Sequence, residues 1–251
     1  MRNVKCIVAY DGSAYCGYQR QNGQPTIQEA LEWAVERIFG AKTTVHASGR
    51  TDSGVHACGQ VIHFRVKDGV PEDRIAAALN SVLPADIVIL EARTVHDSFH
   101  ARISAVQKTY EYYMLNRKTS CPFRRLYALH IPVRLDSDAM HTAALHLLGN
   151  HDFSSFQAAG SSVVHPKRTV SRSRVCRQDD MVIYTVTADG FLYNMVRIIV
   201  GTLIEVGRGK TEPDEMKEIL QARCRAKAGS TAPPQGLFLK QVEYKDGLRL
   251  T

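Results

Sequence analysis

The sequence predicts an α+β fold, with largely antiparallel sheets covered by helices on one side. Three observations lead there. Strand-like and helix-like runs follow one another in mixed order rather than in a regular β-α alternation. The stretch Arg174 to Ala188 holds two β-rich runs about a polar Gln178-Asp179-Asp180 turn, the pattern of a hairpin. Each half of the chain then shows strand, helix and strand, with a new half opening after residue 104, so domains of 1–104 and 105–251 are predicted.

In order, Val4 to Tyr10 is the first strand, ended by the turn pair Asp11-Gly12. Pro25-Thr26-x-x-Glu29 reads as a capping box that opens a helix. Its apolar face is Ile27, Leu31, Val35 and Ile38, and Gly40 closes it. Gln60 to Val66 is a strand, followed by an Asp68-Gly69 turn. Pro71, Glu72 and Asp73 start a second helix, with Ile75, Leu79 and Val82 inward and Pro84 as its stop. Asp86 to Ala92 is a short strand, and Lys108 to Leu115, rich in β-formers, another. Asp136 or Ser137 caps a helix through Met140, Ala144, Leu147 and Leu148 that ends at Gly149. Leu192 to Val206 is so apolar that it predicts a buried helix. Thr211-x-Pro213-Asp214 caps the last helix, with Met216, Ile219 and Leu220 inside, and Gly236 to Tyr244 is the final strand.

With 251 residues, 44% hydrophobic and 23% charged, the chain has the composition of a globular protein with a proper core. Its net charge of +7 and pI of about 9.1 favour a polyanionic partner such as nucleic acid. Cys6, Cys16, Cys58, Cys121, Cys176 and Cys224 are scattered, without the close pairs of a zinc or redox motif. They read as reduced thiols, and the dispersed histidines form no metal pattern. The chain opens on a strand rather than a signal peptide, and no apolar run reaches membrane-spanning length. A cytoplasmic protein without metal or cofactor is the expectation.

The densest chemistry lies in Gly49-Arg50-Thr51-Asp52-Ser53-Gly54-Val55-His56-Ala57. Taken alone, Thr-Asp-Ser-Gly is ordinary turn chemistry. Two glycines also let such a turn hold one short side chain still at the lip of a sheet, and Asp52 is that side chain. Five further segments accompany it: Tyr10 to Gln19; Arg102 with Lys108, Tyr110 and Tyr112; His151-Asp152-Phe153-Ser154-Ser155-Phe156; Phe191 to Leu203 around Arg197; and Gly236-Leu237-Phe238-Leu239.

Together these resemble, in the same order, the motifs of the tRNA pseudouridine synthases that modify positions 38 to 40 of the anticodon arm. The chain departs in two places: Tyr18 stands where the family has tryptophan, and Pro234 where a small residue is usual. The resemblance implies the pseudouridine synthase fold, two related domains with a central active-site cleft, a homodimer gripping one tRNA, and no cofactor. It implies Asp52 as the catalytic carboxylate, with Tyr110 and Arg197 beside it in the chemistry. Tyr110, Arg50, Phe156, Leu237, Lys167 and Arg168 are the residues expected on the substrate.

The residue chemistry agrees. Turning uridine into pseudouridine moves the base from nitrogen to carbon at C1′, with no redox change or group donor. An ionised carboxylate serves either as nucleophile at C1′ or by adding to the base, and both remain open. Arg197 lies in the apolar run Met195 to Ile199, where an unpaired charge is costly. It is either the cation for Asp52 or half of a structural ion pair. Tyr110 offers a flat face and a hydroxyl, or is a core tyrosine; Tyr112 is assigned to packing. Phe153 reads as core, and Phe156 as either core or a stacking surface. Arg50 is placed to fill the space left by a flipped base or to hold its phosphate.

Basic residues crowd Lys167, Arg168, Arg172, Arg174 and Arg177, then Arg208 and Lys210, then Arg223, Arg225 and Lys227. Such groups are solvated faces or a phosphate track. Two other readings compete with the enzyme: a non-catalytic RNA-binding protein of the same fold, and a phosphate-binding metabolic enzyme built on the glycine turn. The latter has neither a Walker A nor a Gly-x-Gly-x-x-Gly pattern to support it.

Overall fold

A computed structural model describes residues 1–67, 69–160 and 165–245. The elements run β1 (Arg2–Tyr10), α1 (Ile27–Phe39), β2 (His46–Ala47), β3 (His56–Val66), α2 (Ile75–Asn80), β4 (Ile87–Val95), β5 (Ala105–Leu115), β6 (Leu129–His130), α3 (Ser137–Leu145), β7 (Gly149–Asp152), β8 (Lys167–Gln178), β9 (Met181–Ala188), α4 (Met195–Gly207), α5 (Glu215–Ala222) and β10 (Leu237–Tyr244). Among the described residues no helix is long and apolar enough to cross a membrane. The fold is α+β, with antiparallel pairing dominant, as predicted.

Two compact units are present: Met1–Val106 with the residues from Phe238 onward, and Gln107–Leu237. The sequence places a boundary at 104/105 and gives everything after it to one domain; here the last strand returns to the first unit.

In the first unit β1 pairs antiparallel with both β3 and β4. β10 joins β3 in parallel, Phe238 opposite His56 and Leu239 opposite Ala57. The burial of β1 alternates, with Val4, Cys6, Val8 and Tyr10 inside. α2 packs on β4, and α1 on α2. The C-cap of α1 is as predicted: Gly40 is left-handed (φ 71°) and its N–H bonds the Glu36 carbonyl. The capping box is not formed. The Thr26 side chain makes no cap bond, and the amides of Ile27 and Gln28 donate to the carbonyls of Gly17 and Tyr18, at 3.3 and 2.9 Å. The second helix opens as a 3-10 turn, Glu72–Arg74, and the Glu72 carboxylate accepts from the Thr94 amide at 2.8 Å on β4. Asp68 of the predicted Asp68-Gly69 turn lies outside the described residues.

In the second unit the strand order is β5-β9-β8-β7, with β6 beside β5. β8 and β9 form the predicted hairpin, Gln178 opposite Met181, and Asp179 takes φ 51° in the turn. β8 starts at Lys167, earlier than predicted, so the basic cluster is itself a strand. Asp136 caps α3 by accepting from the amides of Asp138 and Ala139. α4 begins at Met195, not Leu192: Asn194 is left-handed (φ 59°) and the residues before it form a turn. It is buried nearly all round, as its apolar sequence requires. Asp214 is helical and caps nothing; Glu215 accepts from the Glu212 amide at 2.8 Å at that end of α5.

Candidate active site

Asp52 sits half-buried in a turn closed by the Val55 amide donating to the Asp52 carbonyl at 3.1 Å. Gly54 supplies the positive φ, 75°, that the turn needs. The surrounding residues fix the turn from both sides. Thr51 is buried, and its hydroxyl bonds the Tyr10 hydroxyl at 2.8 Å. Gln60, fully buried on β3, donates to the Gly49 carbonyl at 2.9 Å and accepts from Ser48 at 2.7 Å. The Tyr18 amide donates to the Thr51 carbonyl at 3.0 Å, and the Ser53 hydroxyl to the Tyr15 carbonyl at 3.2 Å.

Two glycines of the Tyr10 to Gln19 segment allow this close wrapping. A Cβ on Gly17 would lie 3.1 Å from the Thr51 carbonyl oxygen and 3.2 Å from the Ser53 nitrogen. A Cβ on Gly12 would collide with the Val55 carbonyl. His56 has a supporting part: its Nδ1 accepts from the Gly12 amide at 3.1 Å, and its ring stacks on Phe238 with centroids 4.5 Å apart. Burial pushes the Tyr10 hydroxyl up to about 12 against the lowering effect of its bonds to Thr51 and Gln60, so it stays a neutral donor. Arg50 is exposed beside the turn.

The remaining predicted site residues lie on the second unit. Tyr110, on β5 opposite Val186, is 9% exposed and meets Phe191 edge-on at 4.9 Å. Arg197 is half-buried on the first turn of α4. Its Nε donates to the Ala232 carbonyl at 2.7 Å and one terminal nitrogen to Asn194 Oδ1 at 2.8 Å. Its charge reaches Tyr112, whose hydroxyl burial pushes well up while the guanidinium acts the other way. Tyr112 is fully buried and donates to the Pro233 carbonyl at 2.8 Å, which bears out its assignment to packing. Leu237 is 6% exposed at the start of β10.

Phe156 takes the core alternative of its two readings. It has no exposed surface and packs against equally buried Phe153 at 6.1 Å, so in this conformation it is core and offers a base no face.

The basic residues divide by partner. Lys167, Arg172 and Arg174 are exposed on β8, where a bulge between Val170 and Arg172 shifts the alternation so that Val170, Ser173 and Val175 all turn inward. Arg168 is half-buried, donating to the His165 and Lys167 carbonyls. Arg177 bonds Asn116 and the Leu135 carbonyl, both at 2.8 Å, and acts structurally. Arg223 pairs with Asp152 at 3.5 Å. Burial would raise the Asp152 carboxyl, but bonds from Ser154 and the Arg223 and Lys167 charges hold it below its usual value. The sequence assigns no role to Gln60, His56 or the segment around Ala232. The Pro233-Pro234 pair is the one local sign of the last.

A family profile described as tRNA pseudouridine synthase matches residues 6–103 and 143–245. Relatives called tRNA pseudouridine synthase A match along almost the full length. The Thermoanaerobacter sp. (strain X514) protein is 48% identical over 244 residues, covering 97% of this chain and 100% of the relative. The Bacillus pumilus protein is 49% identical, covering 96% and 98%, and the Bacillus subtilis protein 46%, with the same coverage. The chain belongs to the tRNA pseudouridine synthase family.

Proposed function

We propose that this protein isomerises uridines at positions 38, 39 and 40 of the tRNA anticodon stem-loop to pseudouridine, with Asp52 as the catalytic carboxylate. The observation that carries the reading is the Asp52 turn, fixed by buried Thr51 and Gln60, in a chain of this family. In the reaction the C1′–N1 bond breaks and a C1′–C5 bond forms. The hydrogen on C5 leaves as a proton and N1 gains one, so no co-reactant is consumed. The carboxylate acts at C1′ or on the base. Tyr110, a nearly buried tyrosine with an aromatic neighbour, stacks on the base and assists removal of the C5 proton. Arg197 favours the ionised carboxylate.

Arg50 and Leu237 contact the displaced nucleotide, and Lys167 and Arg168 its phosphates. In this reading the first unit carries the carboxylate and the second the tyrosine and the arginine. The protein works in the cytoplasm, as a homodimer.

The test is pseudouridine mapping in unmodified tRNA incubated with the purified protein. Pseudouridine should form at positions 38 to 40. Asp52→Asn should abolish it while tRNA affinity stays within several-fold, because phosphate contacts dominate binding. Binding without conversion by the unaltered protein would favour the non-catalytic RNA-binding reading. Conversion by a clean Asp52→Asn preparation would remove Asp52 from the chemistry.

A further inference from the structure

The segment Gly229 to Pro233 lies main chain to main chain on α4. A Cβ on Gly201 would collide with the Ser230 carbonyl, and one on Gly229 would lie 2.8 Å from the Thr202 nitrogen. Gly201 is one helical turn beyond Arg197, on the same face of α4. At the contact the Gly229 amide donates to the Thr202 hydroxyl at 2.9 Å, and that hydroxyl donates to the Ile198 carbonyl at 2.9 Å. Thr202 is 1% exposed, so its hydroxyl is held by two buried bonds.

Three residues further on, the segment grips Arg197 twice. The Ala232 amide donates to the Arg197 carbonyl at 3.0 Å, and Arg197 Nε donates back to the Ala232 carbonyl at 2.7 Å. The far end is pinned by the Tyr112 hydroxyl on the Pro233 carbonyl at 2.8 Å. Arg225 braces the segment through the Ala228 carbonyl just before it, at 3.1 Å, and the Thr231 hydroxyl within it, at 3.3 Å.

We infer that Gly229 to Pro233 is a strap that sets the guanidinium of Arg197, and that Thr202 is the positioning residue which pins the strap to α4. The inference rests on Arg197 acting in the isomerisation. Its physical basis is the buried amide of Gly229: without the Thr202 oxygen it loses an acceptor in a dry contact, and the contact opens. Ala232 then moves with the strap, and Arg197 loses the bond that fixes its Nε edge.

A double-mutant cycle on single-turnover pseudouridine formation tests this. Thr202→Val keeps the shape and removes the hydroxyl. It should lower the single-turnover rate about tenfold, the size expected for one buried hydrogen bond, with tRNA affinity unchanged. Thr202→Ser, which retains the oxygen, should restore most of the rate. In an Arg197→Met background Thr202→Val should have no further effect, since its influence passes through Arg197. Thermal melts identify any variant that has not folded, and the cycle is then run with Tyr112→Phe, which loosens the other end of the strap.

Additive losses, or a silent Thr202→Val, would overturn the strap. Arg197→Met by itself reports on the underlying reading: a full rate there removes Arg197 from the reaction. A crippled Arg197→Met with additive Thr202→Val removes the strap alone.

Discussion

Acid should weaken this protein in good part through His63. It is 5% exposed on β3 of the first unit. Its Nδ1 accepts from the Ala101 amide at 3.1 Å, a bond that requires an unprotonated Nδ1. The ring is stacked on His46 at 5.0 Å and lies 4.6 Å from His100 and 6.0 Å from Phe99. Lys5 stands opposite on β1, and Arg65 is two residues on. Burial first, then the charges of His100, His46 and Arg65, lowers its pKa from 6.5 to about 4. Between those values the unfolded chain binds a proton that the folded protein refuses. Stability is therefore whole above the unfolded value, falls as pH drops through 6.5, and levels off below about 4. At pH 4.5 the loss from this group is about 2.5 kcal/mol, a large share of the ~5–15 kcal/mol that holds a domain. The assay is urea unfolding at pH 7.5 and 4.5, for the protein and for His63→Asn, whose amide oxygen replaces the Nδ1 acceptor. The variant starts less stable because packing is lost, yet it should lose about 2.5 kcal/mol less between the two pH values. Equal losses in the two proteins would refute the argument and shift the acid sensitivity to other groups.

Two further predictions concern binding and the Asp52 turn. Replacing Lys167, Arg168 and Arg172 together by Ala should weaken tRNA binding and make the log-log salt dependence shallower by about 2–3, as roughly three phosphate contacts vanish; an unchanged slope places β8 away from the RNA. Gly12→Ala drives a methyl into the Val55 carbonyl and should cost about 1–3 kcal/mol together with most of the isomerisation rate. Gly69→Ala, with open space around its Cβ position, is the control and should leave both the melting temperature and the rate unchanged.

What was legible in the sequence is what local chemistry decides. The strand β1, the αL residue at Gly40, the Asp136 cap and the hairpin at Asp179 each depend on a few neighbouring side chains and appear where predicted. The misreadings share a cause: a distant partner took the group that the local rule had assigned. Gly17 and Tyr18 supply acceptors for the first two amides of α1 in place of a local cap. β4 draws away the Glu72 carboxylate that a helix N-terminus would have used. The return of β10 to β3 is a parallel pairing between residues far apart in sequence, and no local pattern announces it.

The candidate site follows the same division. A carboxylate in a glycine turn is visible as a string of letters; what holds it is not. Gln60 reads as one polar residue at the head of a predicted strand, yet fully buried it ties Gly49, Ser48 and the Tyr10 hydroxyl into one network. A buried amide left without partners is costly, so burying Gln60 is tolerable only with those bonds made. Phe156 shows the converse: an aromatic in a motif invites a stacking role, but the 3-10 turn Ser154–Phe156 directs it into the core beside Phe153. Arg177 and Arg225, read among phosphate-binding cations, are instead held by carbonyl and side-chain oxygens of their own unit. Charge composition gives the sign of the partner. Which cations remain available to it depends on how many carbonyls the fold leaves for arginine to satisfy, and that is set by pairings across the sheet and along the strap.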